Sequence, residues 1–259
     1  MIYCLKGIVN EKIIKHVSES VRGLTLFERL LWIISELAVF TAFLVSPSSN
    51  PLTLAASAVG LTALIFTAKG DVIGQILIII FSLLYAGVSY GEQYYGEMIS
   101  YVFMSGGIAF FSTITWIKHP YKKHQVKVER LTVKKLIFMG VGTAAVTAVF
   151  YFILKLLGTA SLTVSTVSIA TSFIASSLTL LRSPFYALAY SVNDVVLIVL
   201  WIIAAFDDPY AIPMVVCFLA FLVNDLYGFF NWLKMRKQQS AVTKKDIDPK
   251  AESMSDRYL

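Results

Sequence analysis

FLVNDLYGFFNWLK, residues Phe221–Lys234, is an apolar stretch with amides and a carboxylate lodged inside it, and IAFFSTITWIK, Ile108–Lys118, ends on the same Trp-x-Lys. Trp116 thus corresponds to Trp232. Working outward, LTLAASAVGLTALIF from Leu52 matches LTVSTVSIATSFIAS from Leu162 in its small, Thr/Ser-rich, β-branched texture, and Glu92 stands opposite Asp208. An internal repeat decides the architecture. Its unit holds three apolar runs, which would reverse in the bilayer if repeated directly; one intervening run restores the orientation, giving two parallel three-helix bundles in a 3+1+3 order. Such repeats put a solute path at their interface, near the membrane midplane.

Composition supplies the solvent. With 57% hydrophobic and 15% charged residues, the chain is apolar beyond the range of a soluble domain and reads as an all-α integral membrane protein. Eight apolar runs of spanning length lie near Leu26–Val45, Leu52–Ala68, Val72–Gly91, Met98–Ile117, Leu136–Leu157, Leu162–Leu181, Phe185–Phe206 and Ala211–Leu233. At about 1.5 Å per residue each covers a hydrocarbon core of about 30 Å. The expected organisation is a cytoplasmic amphipathic segment (1–25), an extra transmembrane helix (26–46), a first bundle (51–118), a linker helix (133–157), a second bundle (161–237) and a disordered cytoplasmic tail (238–259). In the first segment Leu5, Val9, Ile13, Val17, Val21 and Leu24 recur at helical spacing, which fits a helix on the membrane surface or one packed on a cytoplasmic face. It lacks the continuous apolar core of a cleavable signal peptide.

Loop charge alternates at every turn. Lys12, Lys15 and Arg22 precede the first run, Lys69 follows the second, KHPYKKHQVKVERLTVKK follows the fourth, Arg182 follows the sixth, and Lys234, Arg236 and Lys237 close the last. The intervening loops, SPSSNP, GEQYYGE, LGTAS and the turn at Asp207 and Asp208, are neutral or acidic. Lys and Arg are retained on the cytoplasmic side, so both termini are expected in the cytoplasm of a cell in whose inner membrane the chain sits. The net charge of +6 is then a topology signal rather than a nucleic-acid surface. Cys4 and Cys217 imply no disulfide, and His16, His119 and His124 lack metal-ligand spacing. No cofactor is implied.

Chemistry is sought among polar residues in the spans, where an ionised side chain costs about 2.5–3.5 kcal/mol on insertion scales. Asn193 and Asp194, about nine residues into the seventh span, match the depth of Asn224 and Asp225 in the eighth. Tyr190, Asn193, Asp194 and Trp201 form one stripe, and Asn224, Asp225 and Trp232 another, with Gln75 and Tyr85 on the third span and Tyr101 on the fourth. The expected site is an aromatic-lined polar cleft holding a small flat solute through Asn193, Asn224, Asp225, Tyr85, Tyr190, Trp201 and Tyr227. Competing readings are interhelical hydrogen bonding for the Asn, Asp and Gln residues, and interfacial anchoring for Trp116, Trp232 and Asn231. Glu36 is expected to pair with a polar group of a neighbouring span. A carboxylate-pair hydrolase built on Asp194 and Asp225 and a non-transporting receptor subunit are the readings from other classes. The chain has no GxxxxGK[ST], HExxH or GxSxG motif.

KGDVIGQILIIIFSLLYAG, YYGEMISYVFMSGGIAFFSTITWIKHP, SPFYALAYSVNDVVLIVLW and YAIPMVVCFLAFLVNDLYGFFNW closely resemble the PnuC-type vitamin transporters of bacteria, from Leu52 to Lys237. That resemblance implies a 3+1+3 core related to the SWEET sugar transporters. It further implies facilitated diffusion of an unphosphorylated precursor, first nicotinamide riboside, a homotrimer in the lipid bilayer, and a cytoplasmic kinase that traps the product. Family binding positions fall on Asn193 and on the Asn-x-Tyr-Gly pattern read through Asp225, Tyr227 and Gly228. The chain departs from the pattern with Tyr186, Ala189 and Tyr190 where enteric relatives have a Trp-rich cluster, with Asp225 for Asn, and with Tyr101 near a Gln. Related subfamilies carry thiamine, riboflavin or deoxynucleosides. Because the first copy of the repeated helix keeps the Trp but not the carboxylate, the second bundle is expected to contribute more of the polar recognition.

Overall fold

The computed structural model describes residues 15–46, 50–122, 125–159, 161–207 and 211–247, with side chains up to residue 242. Leu5, Val9, Ile13, Cys4, His124, Asp208, Pro209 and the segment 248–259 lie outside the described residues. Helix α1 covers residues 15–22. Then follow α2 (Leu26–Val45), α3 (Pro51–Ala68), α4 (Val72–Gly91), α5 (Tyr95–Ile99), a π-helical turn (Ser100–Gly106) running into α6 (Gly107–Lys118), and a small hairpin of β1 (Pro120–Lys122) and β2 (Gln125–Val126). The chain continues through α7 (Val133–Leu157), α8 (Leu162–Leu180), α9 (Phe185–Asp207) and α10 (Ile212–Ile247). Among the described residues seven helices are long and apolar enough to cross a membrane, α5–α6 counting as one. Helix α2 has 20 residues but carries Glu28, Arg29 and Glu36.

Local chemistry starts these helices where the pattern predicts. Thr25 and Glu28 form a reciprocal capping box on α2, Asn50 caps α3 ahead of Pro51, and Asp71 caps α4 through its bond from the Ile73 amide, 3.0 Å. Two tight turns at the Lys-rich end are built alike: Gly70 between α3 and α4 and Arg182 between α8 and α9 are both left-handed, with φ of 72° and 54°. Gly74 lets α4 approach α3, since a Cβ there would fall 2.5 Å from the Thr67 amide nitrogen and 2.9 Å from the Ala63 carbonyl.

Helices α3, α4 and α5–α6 form one triplet and α8, α9 and α10 another. They meet reciprocally: the first helix of each packs on the third of the other, α3 on α10 and α6 on α8. Helix α7 touches chiefly α8 and buries only Leu154, while α2 lies against α3 and α10. Glu36 pairs as expected with a neighbouring helix, accepting from Thr62 of α3 at 3.2 Å. Trp116 and Trp232 are buried between the triplets at 1% and 0% exposure, not in an interfacial belt. Each indole has a backbone carbonyl of the opposite triplet to donate to, and that bond fixes it inside.

Two boundaries differ from the sequence reading. Helix α10 runs nine residues beyond Gln238, into the expected disordered tail. Gln239 holds it there, accepting from the Val128 amide at 2.8 Å and donating to the Val126 carbonyl at 3.1 Å. Glu97, read as part of an acidic loop, is fully buried in α5 beside Ser168.

Candidate functional site

Between the triplets lies a narrow cavity of about 30 Å³. That is room for roughly two waters. Asp194 and Tyr190 of α9, Asp225 of α10, Gln75 of α4 and Tyr101 of the π turn line it, as expected from the sequence. The carboxyl groups of Asp194 and Asp225 meet each other there. Tyr190 shares a 2.9 Å hydrogen bond with Ser176, and the Gln75 amide lies 3.5 Å from the Thr67 hydroxyl. Among the described residues no Lys, Arg or His lines the cavity.

Asn193 and Asn224 point elsewhere. Adjacent residues on a helix are about 100° apart, so Asp194 and Asp225 facing the cavity turn their amide neighbours away. Asn193 accepts from Thr171 and Ser172 of α8 at 2.7 and 3.0 Å. Asn224 donates to Ser35 of α2 at 2.9 Å and to the Ala220 carbonyl at 2.8 Å. Tyr227 lies toward the Lys-rich end, donating to Glu28 at 2.7 Å; the same carboxylate accepts from Lys69 at 2.9 Å.

Tyr85 and Trp201 form the wall beyond the cavity. The Trp201 indole donates to the Tyr85 hydroxyl at 2.8 Å, with both residues fully buried. Around them pack Tyr101, with ring centroids 4.2 Å from Tyr85, and Phe218 and Tyr94, at 5.6 Å from Tyr85 and 5.5 Å from Trp201. This aromatic cluster seals the acidic side. Trp116 donates to the Thr179 carbonyl at 3.2 Å and Trp232 to the Thr67 carbonyl at 2.9 Å, their rings 5.5 Å apart, and these bonds seal the Lys-rich side.

Beneath that seal the α6–α7 connection straps the triplets together. Val126 donates to the Gly70 carbonyl and Glu129 to the Arg182 carbonyl, each at 3.0 Å. The Glu129 carboxylate also accepts from Lys135 and Arg182, which hold it below the usual carboxylate range.

Sequence reasoning missed Thr67, Thr179, Tyr186 and Phe81 in the lining, whereas Ser105 and Phe221 lie on the stripes read from the fourth and eighth spans. Thr67 and Thr179 each precede a left-handed turn by three residues, a signal available once the turns are matched. Tyr186 seats the floor on Trp232, ring centroids 4.9 Å apart.

A family model described as nicotinamide mononucleotide transporter matches residues 50–234. The chain belongs to this family. It is similar to a nicotinamide riboside transporter PnuC of Neisseria mucosa, 26% identical over 252 residues, covering 91% of this chain and 96% of the relative. The corresponding protein of Haemophilus influenzae is 26% identical over 223 residues, or 85% and 95% of the two chains. A crystal structure of the vitamin B3 transporter PnuC superposes with a TM-score of 0.73 at 27% identity, covering 84% of this chain and 94% of that one. As a member of the PnuC-type family the chain is a multi-pass membrane transporter and not an enzyme.

Proposed function

We propose that this transporter takes up nicotinamide riboside. The observation that carries the reading is the pair Asp194 and Asp225 in an aromatic cavity with no basic side chain among the described residues of its lining. The hydrogen-bonded pair shares one proton and so carries at most one negative charge, which attracts a pyridinium, while its free oxygens accept from ribose hydroxyls and tyrosine faces stack on the ring. The family description names the mononucleotide and the relatives the riboside, which differ by a phosphate. In this cavity a phosphate would face two carboxyl groups and no cation, so the unphosphorylated compound is the better fit. Thiamine, also a cationic ring, is the second reading on the same observation; riboflavin and deoxynucleosides lack that charge.

The solute moves down its gradient by alternating access, and a cytoplasmic kinase traps it by phosphorylation. All eight long helices span, α2 outside a 3+1+3 SWEET-like core and α7 as its linker, and the reciprocal packing of the triplets supports that reading. The Lys-rich end faces the cytoplasm and both termini lie there, in the inner membrane of the cell. Asp194, Asp225, Tyr190, Gln75 and Tyr101 contact the solute, Tyr85, Trp201 and Tyr227 join as the triplets move, and Asn193 and Asn224 act through the helix contacts that orient the two acids. Three copies assemble as a trimer. Calorimetry of the purified protein against nicotinamide riboside, its mononucleotide, thiamine, riboflavin and deoxynucleosides, with uptake into protein-only liposomes, tests the assignment. Tighter binding of the mononucleotide than of the riboside would overturn it.

A further inference from the structure

Outside the cavity, on the Lys-rich face, an open groove runs between the residues preceding α7, the start of α9 and the extension of α10. Arg130, Phe185, Arg236, Lys237 and Ser240 line it around about 660 Å³ of space for water centres. The Arg236 guanidinium lies over the Phe185 ring, 5.9 Å from its centroid. Among the described residues no carboxylate lines the groove.

A basic end alone does not explain this arrangement. Some cations on that face, such as Lys118, Lys122 and Lys127, stand apart from the groove, and others have carboxylate partners, Lys69 with Glu28 and Lys135 and Arg182 with Glu129. Arg130, Arg236 and Lys237 have none among the described residues, although they converge on one concavity. Like charges brought together repel, and an anion removes that cost. Phe185 and Val133 begin their helices beside the groove, so it lies where apolar spans leave the hydrocarbon, at the level of lipid phosphates. Guanidinium forks match phosphate oxygens in pairs, and basic pockets between helix ends suit phospholipid headgroups.

We infer that this groove binds a phosphate-bearing anion, the headgroup of an anionic lipid or a soluble phosphate. The occupant links Arg130, next to the strap residue Glu129, to α10, and so fixes the strap to the second triplet. Opening of the Lys-rich side then depends on the groove's occupant.

The test is native mass spectrometry of the purified full-length chain in mixed micelles of phosphatidylglycerol and phosphatidylcholine. Wild type should retain phosphatidylglycerol preferentially. The triple variant Arg130→Gln, Arg236→Gln, Lys237→Gln should lose that retention by on the order of 100-fold, at about fivefold per juxtamembrane cation. The charge-matched variant Lys118→Gln, Lys122→Gln, Lys127→Gln should retain it. If the triple variant fails to fold, Arg236→Gln alone should show the fivefold loss. Displacement of the lipid by millimolar inorganic phosphate identifies a groove open to soluble phosphates, and resistance to it identifies the headgroup as ligand. Equal loss in the charge-matched variant, or no preference for phosphatidylglycerol together with no thermal shift in phosphate, overturns the inference.

Discussion

Replacing Tyr85 with Phe removes one oxygen from the acidic-side seal and leaves the Trp201 N–H, 2.8 Å away in the native protein, buried without an acceptor. A typical hydrogen bond contributes about 0.5–1.5 kcal/mol net, and an orphaned buried donor costs about 1–3 kcal/mol. That cost falls only on conformations in which the triplets are closed there, because an opened seal exposes the indole to water. A destabilisation of about 1–2 kcal/mol shifts the equilibrium toward the acidic-side-open form by about 5–30-fold. Trp232→Phe acts in the opposite sense, freeing the Thr67 carbonyl on the Lys-rich side. The assay is the rate at which a membrane-impermeant thiol reagent, added from the acidic side, modifies Ser105→Cys in the cavity lining of a Cys4→Ser, Cys217→Ala background. Tyr85→Phe should accelerate modification by about 5–30-fold, and Trp232→Phe should slow it. Acceleration by both variants, or no change in a folded Tyr85→Phe protein, would refute the assignment of these bonds to opposite seals.

Asp225→Asn should weaken nicotinamide riboside binding by on the order of 30-fold or more while narrowing its advantage over the mononucleotide, since a buried charge partner is lost with little change of shape; calorimetry measures both, and an unchanged ratio argues against charge recognition. Gly74→Ala should lower thermal stability by about 1–3 kcal/mol, because its Cβ meets backbone atoms of α3 at 2.5 and 2.9 Å. Gly228→Ala, whose nearest neighbours lie at 3.4 Å, should be tolerated, and equal melting points would contradict the packing argument. Glu129, held below its ordinary value of 4.5 by Lys135 and Arg182, contributes stability that is present above that value and is lost as pH falls through its lowered folded-state pKa. Wild type should therefore lose more melting temperature than Glu129→Gln between neutral and acid pH, and parallel losses would remove the strap from the account.

Legibility in the sequence followed how local the determining physics was. Apolar runs mark the long helices to within a few residues, because segment length and hydropathy decide which stretches can span. Depth was also legible: Asp194 and Asp225 do meet. Facing was less so, since a stripe wide enough to include both Asn224 and Asp225 cannot say which of two residues about 100° apart turns inward. The π turn at Ser100–Gly106, which brings Tyr101 and Ser105 to the cavity, has no periodic signature. Burial of Glu97, beside Ser168, and the reach of α10 past Gln238, held by the backbone of Val126 and Val128, depend on packing against elements distant in the chain.

The reciprocal packing of α3 on α10 and of α6 on α8 brings some matched residues of the two triplets together and keeps others apart. At the Lys-rich side a residue meets its own counterpart. Trp232 packs on Trp116, 116 positions earlier, and each donates to the threonine carbonyl, Thr67 or Thr179, that precedes the left-handed turn of the other triplet. Elsewhere counterparts are separated, and each is free to take a different chemistry. By the 112-residue spacing of the matched turns Asp194 answers Ser82, and by the 116-residue spacing of the Trp pair Asp225 answers Ala109. Both carboxylates of the cavity therefore come from the second triplet, as the lone carboxylate of the repeated helix led one to expect. In the proposed alternating access this division would assign tasks: buried aromatic contacts would close the two sides, and the two acids would recognise the solute. Rocking of the triplets would then break one aromatic contact while the other stays closed, and Asp194 and Asp225, on the same triplet, would stay together through the motion. A solute held mainly by that triplet would keep its polar contacts between the two openings.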